Sequence, residues 1–177
     1  EPITETTEFL FIGLNSARRM RPSLDWSTGS LSDDQVRTAL ARFRTGEDRR
    51  LQILGAHHPF FPEPEAGSAG RAVIPRAPDI LADLVAAGVD LLMTGHVHQG
   101  RVRSVDVAGR RIILSQAGTA SSTRTRGETP SFNLIEVDGE AMRGRVMRYG
   151  GDGFVPEKVR EFRRLPEGWF LQEEVTA

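Results

Sequence analysis

Two apolar runs, Leu51–Ala56 and Leu91–Thr94, are joined through a long loop and one helix-length segment, and each is followed by a histidine pair. Runs this short and this continuously apolar suit strands buried on both faces. A strand, a helix and a second strand in this order form a parallel crossover unit, and such crossovers are almost always right-handed. The connecting helix is expected from Pro78, in its first turn, to Gly88 just past its end, with Leu81, Leu84 and Val85 on one face. Upstream, Phe9–Leu14 reads as another interior strand. Ser32 and Gln35 form a capping box that starts a helix running to about Arg44, with Val36, Leu40 and Phe43 as its apolar stripe. Pro62, Pro64, Gly67 and Gly70 mark a long loop to about Pro75.

Past His98 the pattern changes to consecutive strands. Residues 102–107 and 111–115 flank Ala108-Gly109, and residues 132–137 and 140–147 flank Asp138-Gly139, a favoured two-residue hairpin turn. Residues 156–164 read as a short helix or turn, followed by a weakly patterned end containing Trp169 and Phe170. The 177 residues carry no repeat, low-complexity tract or linker and suit a single domain. The expected fold class is α/β, bordering on α+β.

Composition narrows the function. A formal net charge of −1 gives no global field for a polyanion, so nucleic acid is not favoured as a partner. No run reaches the roughly 18–20 apolar residues of a spanning helix, and cytoplasmic localisation is the expectation. With no cysteine, a thiolate zinc site and a cysteine nucleophile are excluded. Of 23 basic residues only Lys158 is lysine, so arginine clusters are weak functional signals; Arg101, Arg103, Arg110 and Arg111 read as a solvated strand face.

The four histidines fall entirely in the pairs His57, His58 and His96, His98. Both pairs follow strands of one crossover unit and therefore leave the same sheet edge, where ligands bind in open α/β sheets. Imidazoles at i and i+2 beside Gly95 suit one ion or two neighbouring ions; the plain alternative is polar loop residues. Neighbouring side chains on extended backbone point to opposite sides, so one of His57 and His58 faces the site and the other supports it from behind.

His57-His58-Pro59 followed by Gly95-His96-Val97-His98 resembles the later motifs of the calcineurin-like metallophosphoesterase family. Residues 118–126 with Ser131–Val137, and Leu14-Asn15-Ser16 with Leu31–Gln35, extend the resemblance over roughly residues 8–150. It implies the C-terminal portion of a four-layer α/β/β/α sandwich in which two divalent ions (manganese, iron or zinc) are bridged by a hydroxide that attacks a phosphate ester. By that resemblance His57 and His96 would bind one ion, His98 the other, and His58 would stand behind them. Arg124 and Arg126 would be weaker candidates for substrate contact. The implied substrate is a phosphodiester or nucleotide.

The family's Asp-x-His, Gly-Asp-x-x-Asp and Gly-Asn-His motifs do not occur before His57, and Asp25, Asp33 and Asp34 do not match them by spacing. The catalytic residues and bridging carboxylate are therefore expected outside this span, and these residues alone should bind at most one ion well. Association through an exposed sheet edge is also expected. A single zinc site closed by three histidines and a non-catalytic scaffold for a protein partner remain the alternatives.

Overall fold

A computed structural model describes residues 2–17, 29–43, 50–62, 73–121 and 128–176. They divide into two compact units, Glu1–Thr94 and Gly95–Ala177. Asp25 and the candidate substrate contacts Arg124 and Arg126 lie outside the described residues, as does most of the loop after Pro62.

The first unit is α/β. Strand β1 (Ile3–Glu5), which the sequence did not announce, pairs antiparallel with β2 (Phe9–Leu14). β2 runs parallel to β3 (Leu51–Ala56) over six matched pairs from Phe9↔Leu51 to Leu14↔Ala56. β3 runs parallel to β4 (Leu91–His98) from Ile53↔Leu91 to Gly55↔Met93. Thus β4 begins as expected but continues through the Gly95-His96-Val97-His98 segment instead of ending at Thr94.

Helix α1 (Asp33–Arg42) starts at the expected capping box, in which Ser32 Oγ accepts from the Gln35 N–H and Gln35 Oε1 accepts from the Ser32 N–H at 3.0 Å. Helix α2 (Ala77–Ala86) carries Pro78 in its first turn and buries Ile80, Leu81, Leu84 and Val85. Leu10, Ile12, Leu54, Leu91 and Leu92 are also buried in this unit. Each such side chain contributes roughly 1.5–3 kcal/mol when fully removed from water.

The second unit is built of strands. β5 (Arg101–Val107) and β6 (Arg110–Gly118) form a hairpin whose loop residues, Ala108 and Gly109, both have positive φ, as a type I′ turn requires. β7 (Ser131–Asp138) pairs with β8 (Ala141–Tyr149), and Asp138↔Ala141 is the closing pair. The loop is therefore Gly139-Glu140, one residue later than expected. Gly139 alone has positive φ there, which suits a type II′ turn.

The expected short helix or turn at 156–164 is instead the long strand β9 (Phe154–Leu165), and the weakly patterned end is β10 (Gly168–Thr176). Residues 156–164 look helical because alternating charges recur at helical spacing. In the strand those charges meet partners across the sheet: Arg143–Glu161 at 2.6 Å and Arg160–Glu174 at 2.5 Å. Pro156 fits because β10 reaches only to Lys158 and the β8–β9 register shifts between Val146 and Met147. β10 also meets β6 in parallel at Gly168↔Arg111. An added Cβ at Gly168 would lie 1.9 Å from the Arg111 carbonyl oxygen, so only glycine allows this approach.

Trp169 is fully buried, with the Arg164 guanidinium 5.0 Å from its ring centre. Trp169→Ala is expected to destabilise the second unit by about 3–5 kcal/mol in denaturant unfolding. A loss near zero would contradict the assignment of Trp169 to the core.

Candidate functional site

In the first unit the matched end of β2 and β3 decides what meets. Leu14 pairs with Ala56, and two residues further along each chain stand Ser16 and His58. The Ser16 hydroxyl oxygen accepts the His58 backbone N–H at 3.1 Å and lies 2.9 Å from His58 Nδ1. Both side chains are buried, whereas the neighbouring His57 is exposed. The two rings meet edge to face, with centroids 4.9 Å apart and planes at 85°.

Supports behind this pair come from the segment leading into α1. Ser30 N–H donates to the Ser16 carbonyl at 2.9 Å, and Gln35 Nε2 donates to the Asn15 carbonyl at 3.1 Å. The capping-box glutamine therefore ties the chain leaving β2 to the start of α1. Gly29 lies against His58 so closely that an added Cβ would stand 2.3 Å from the ring Cγ. Gly29 and Ser16 are functional supports that sequence reasoning did not single out by role; a lone glycine or serine beside a loop carries no periodic signal.

On β4, Thr94 is buried, and its hydroxyl has no hydrogen-bond partner among the described residues. Beyond it His96 and His98 both adopt left-handed backbone, with φ of 71° and 63°, on either side of the buried Val97. Such conformations are unfavourable for residues with a Cβ by about 1–3 kcal/mol each and persist where surrounding structure over-determines them. β3 and β4 are parallel, so each histidine pair comes at the carboxyl-terminal end of its strand.

In the second unit the turn after His98 is braced from three sides. Glu128 Oε2 accepts the Gly100 N–H at 3.3 Å, Gln116 Nε2 donates to the Gln99 carbonyl at 3.3 Å, and Asn133 Nδ2 donates to the Arg101 carbonyl at 3.1 Å. Asn133 also reaches the Gln116 carbonyl at 2.8 Å. Arg148 Nη1 donates to Glu128 at 2.9 Å, and its Nε pairs with Glu157. Burial pulls the Arg148 guanidinium downward, but hydrogen bonds to Glu157 and Glu128 outweigh it and hold the group above the usual arginine range. Gln116 and Asn133 were legible only as polar residues inside apolar strands.

Arg101, Arg103, Arg110 and Arg111 are half-buried rather than a solvated strand face. The Arg111 guanidinium lies 5.3 Å from the Phe170 ring centre, so packing against aromatic surface occupies it. No helix among the described residues is long and apolar enough to cross a membrane.

No family model matches the chain, and no curated protein matches it. Among solved structures it is similar to a putative 5'-nucleotidase from Staphylococcus aureus in complex with alpha-ketoglutarate, at 14% identity and a TM-score of 0.40, over 88% of this chain. The chain spans 28% of that protein's length. It is also similar to wild-type Vps29 from Entamoeba histolytica complexed with zinc, at 14% identity and a TM-score of 0.30, over 94% of this chain and 98% of that one. Vps29 from Chaetomium thermophilum is similar at 14% identity and a TM-score of 0.28, over 97% of this chain and 98% of the other. Likenesses this low carry no argument about activity.

Replacing Gly29 by alanine is expected to force the His58 ring away from Ser16 and to destabilise the first unit by about 1–3 kcal/mol. Unfolding curves and the His58 ring resonances check this together. An unshifted ring with unchanged stability would contradict the packing described.

Proposed function

We propose that this chain is the histidine-bearing, C-terminal portion of a metal-dependent phosphoesterase acting on a phosphodiester or nucleotide. The observation that carries the reading is the left-handed backbone at both His96 and His98, which is unfavourable in itself and sets two imidazoles at i and i+2 around a buried valine. The order of His57-His58-Pro59 and Gly95-His96-Val97-His98 supports it. So does the donor chemistry: all four histidines of the chain fall in these two motifs, and imidazole is a common metal ligand.

The proposed roles follow from chemistry. His57 and His96 bind one ion, and His98 serves a second, neighbouring position. Imidazole nitrogen suits manganese, iron and zinc alike. A bound divalent ion would polarise a phosphoryl oxygen and acidify a water beside it. Neither histidine motif supplies a carboxylate, so these residues favour a single ion, and a second requires carboxylates from other residues. The chain's own contribution is positional: Ser16 and Gly29 hold His58, while Glu128, Gln116 and Asn133 fix the turn through which His98 leaves β4. Arg124 and Arg126 are proposed as substrate contacts on the sequence resemblance alone.

Isothermal titration with zinc and with manganese tests the reading. The expected result is one ion per chain, with affinity reduced at least about tenfold in His57→Ala and in His96→Ala. Affinity unchanged in both variants would contradict it.

A further inference from the structure

We infer that the outer edge of β7 is a docking edge for an extended segment of another protein, which adds a strand antiparallel to β7. That segment carries basic residues toward its amino-terminal end and apolar residues toward its carboxyl-terminal end. The surface lies wholly in the second unit, uses none of the histidines and does not depend on the phosphoesterase reading.

Among the described residues β7 pairs with β8 and with no other strand. The Tyr149 N–H donates to the Pro130 carbonyl at 2.8 Å, whereas the Ser131 N–H turns away from β8 and donates to the Thr119 carbonyl at 2.9 Å. Backbone groups alternate along an antiparallel pair, so Ile135 and Val137 also aim their N–H and C=O groups away from β8. Such a row is a template for a further strand, and proteins usually guard it with a short strand, a bulge, proline or charge. β1 is three residues long, and β5 carries Arg101, Arg103 and Asp106. β7 has eight residues in unbroken register with β8 and contains no proline, lysine or arginine.

Side chains specify the occupant. Phe132, Leu134, Glu136 and Asp138 share one face of β7, so its first half is apolar there and its second half acidic. Phe132 and Leu134 are each 38% exposed. The Phe154 ring lies 5.0 Å from Phe132 and 5.6 Å from Tyr149, which widens the apolar surface inward from the edge. On the opposite face Val137 is 41% exposed. Glu136 is paired with Arg145 at 2.8 Å, but no ion pair holds Asp138 or the turn residue Glu140 among the described residues. Opposite charges and apolar pairs across strands are favourable, so the complement is cationic beside Asp138 and apolar beside Phe132. A second copy of β7 would bring no cation to these carboxylates, because residues 131–140 include none.

Fluorescence anisotropy with the full chain tests this, using a dye-labelled peptide Lys-Val-Lys-Val-Leu-Thr-Leu. Laid antiparallel on β7, its lysines stand opposite Asp138 and Glu136 and its leucines opposite Leu134 and Phe132. Saturable binding is expected. N-methylating both valine amides, which donate to the Val137 and Ile135 carbonyls, should weaken it at least about tenfold. Glutamate in place of both lysines should weaken it at least about threefold, and Asp138→Lys in the chain should reverse the preference between the two peptides. Absence of saturable binding would overturn the inference, as would an N-methylated or glutamate peptide that binds as tightly as the parent. So would sedimentation velocity showing a dimer that Val137→Pro returns to monomer, since that substitution removes an N–H unused by β8 and the occupant would then be a second copy.

Discussion

The parallel register of β2 against β3 is the constraint on which the described chemistry of the first unit depends. Because Leu14 stands opposite Ala56, the residues two places beyond them, Ser16 and His58, arrive together. A slip of one position would turn every side chain of the strand to the other face and separate them. The register is in turn held by the buried side chains of Leu10, Ile12 and Leu54. Apolar packing therefore sets the buried polar contact between Ser16 and His58.

The second unit solves a related problem by different means. There the backbone after His98 leaves an unfavourable left-handed conformation and enters β5. Its carbonyls and N–H groups are met by Gln116, Asn133 and Glu128 within the same unit. Arg148 then neutralises Glu128, so the acceptor of the Gly100 N–H is itself held in place. Strain in the backbone at His96 and His98 is thereby supported by ordinary hydrogen bonds between strands and not by an unusual element.

Much of the first unit was legible in the sequence because burial leaves a pattern. The runs at 9–14 and 51–56 became β2 and β3, and the Ser32–Gln35 capping box became the start of α1. β9 was not legible, because Glu157, Lys158, Arg160, Glu161 and Arg164 carry the charge spacing of a helix. Their cross-strand partners lie far away in the chain, where local spacing gives no hint of them. The hairpin at Gly139-Glu140 was misplaced by one residue because Asp-Gly is a favoured turn pair, whereas the closing contact is Asp138↔Ala141. For the site, the histidine clusters were conspicuous. Ser16 and Gly29 acquire meaning only once β2 and β3 are aligned, and residue type alone does not reveal it.

The central claim is that imidazoles from separate segments of this chain bind one divalent ion. X-ray absorption spectroscopy of the zinc-loaded chain tests it most directly. The account predicts nitrogen ligands at roughly 2.0–2.1 Å with the outer-shell scattering of more than one imidazole ring. A first shell of oxygen alone, with no imidazole scattering, would contradict it.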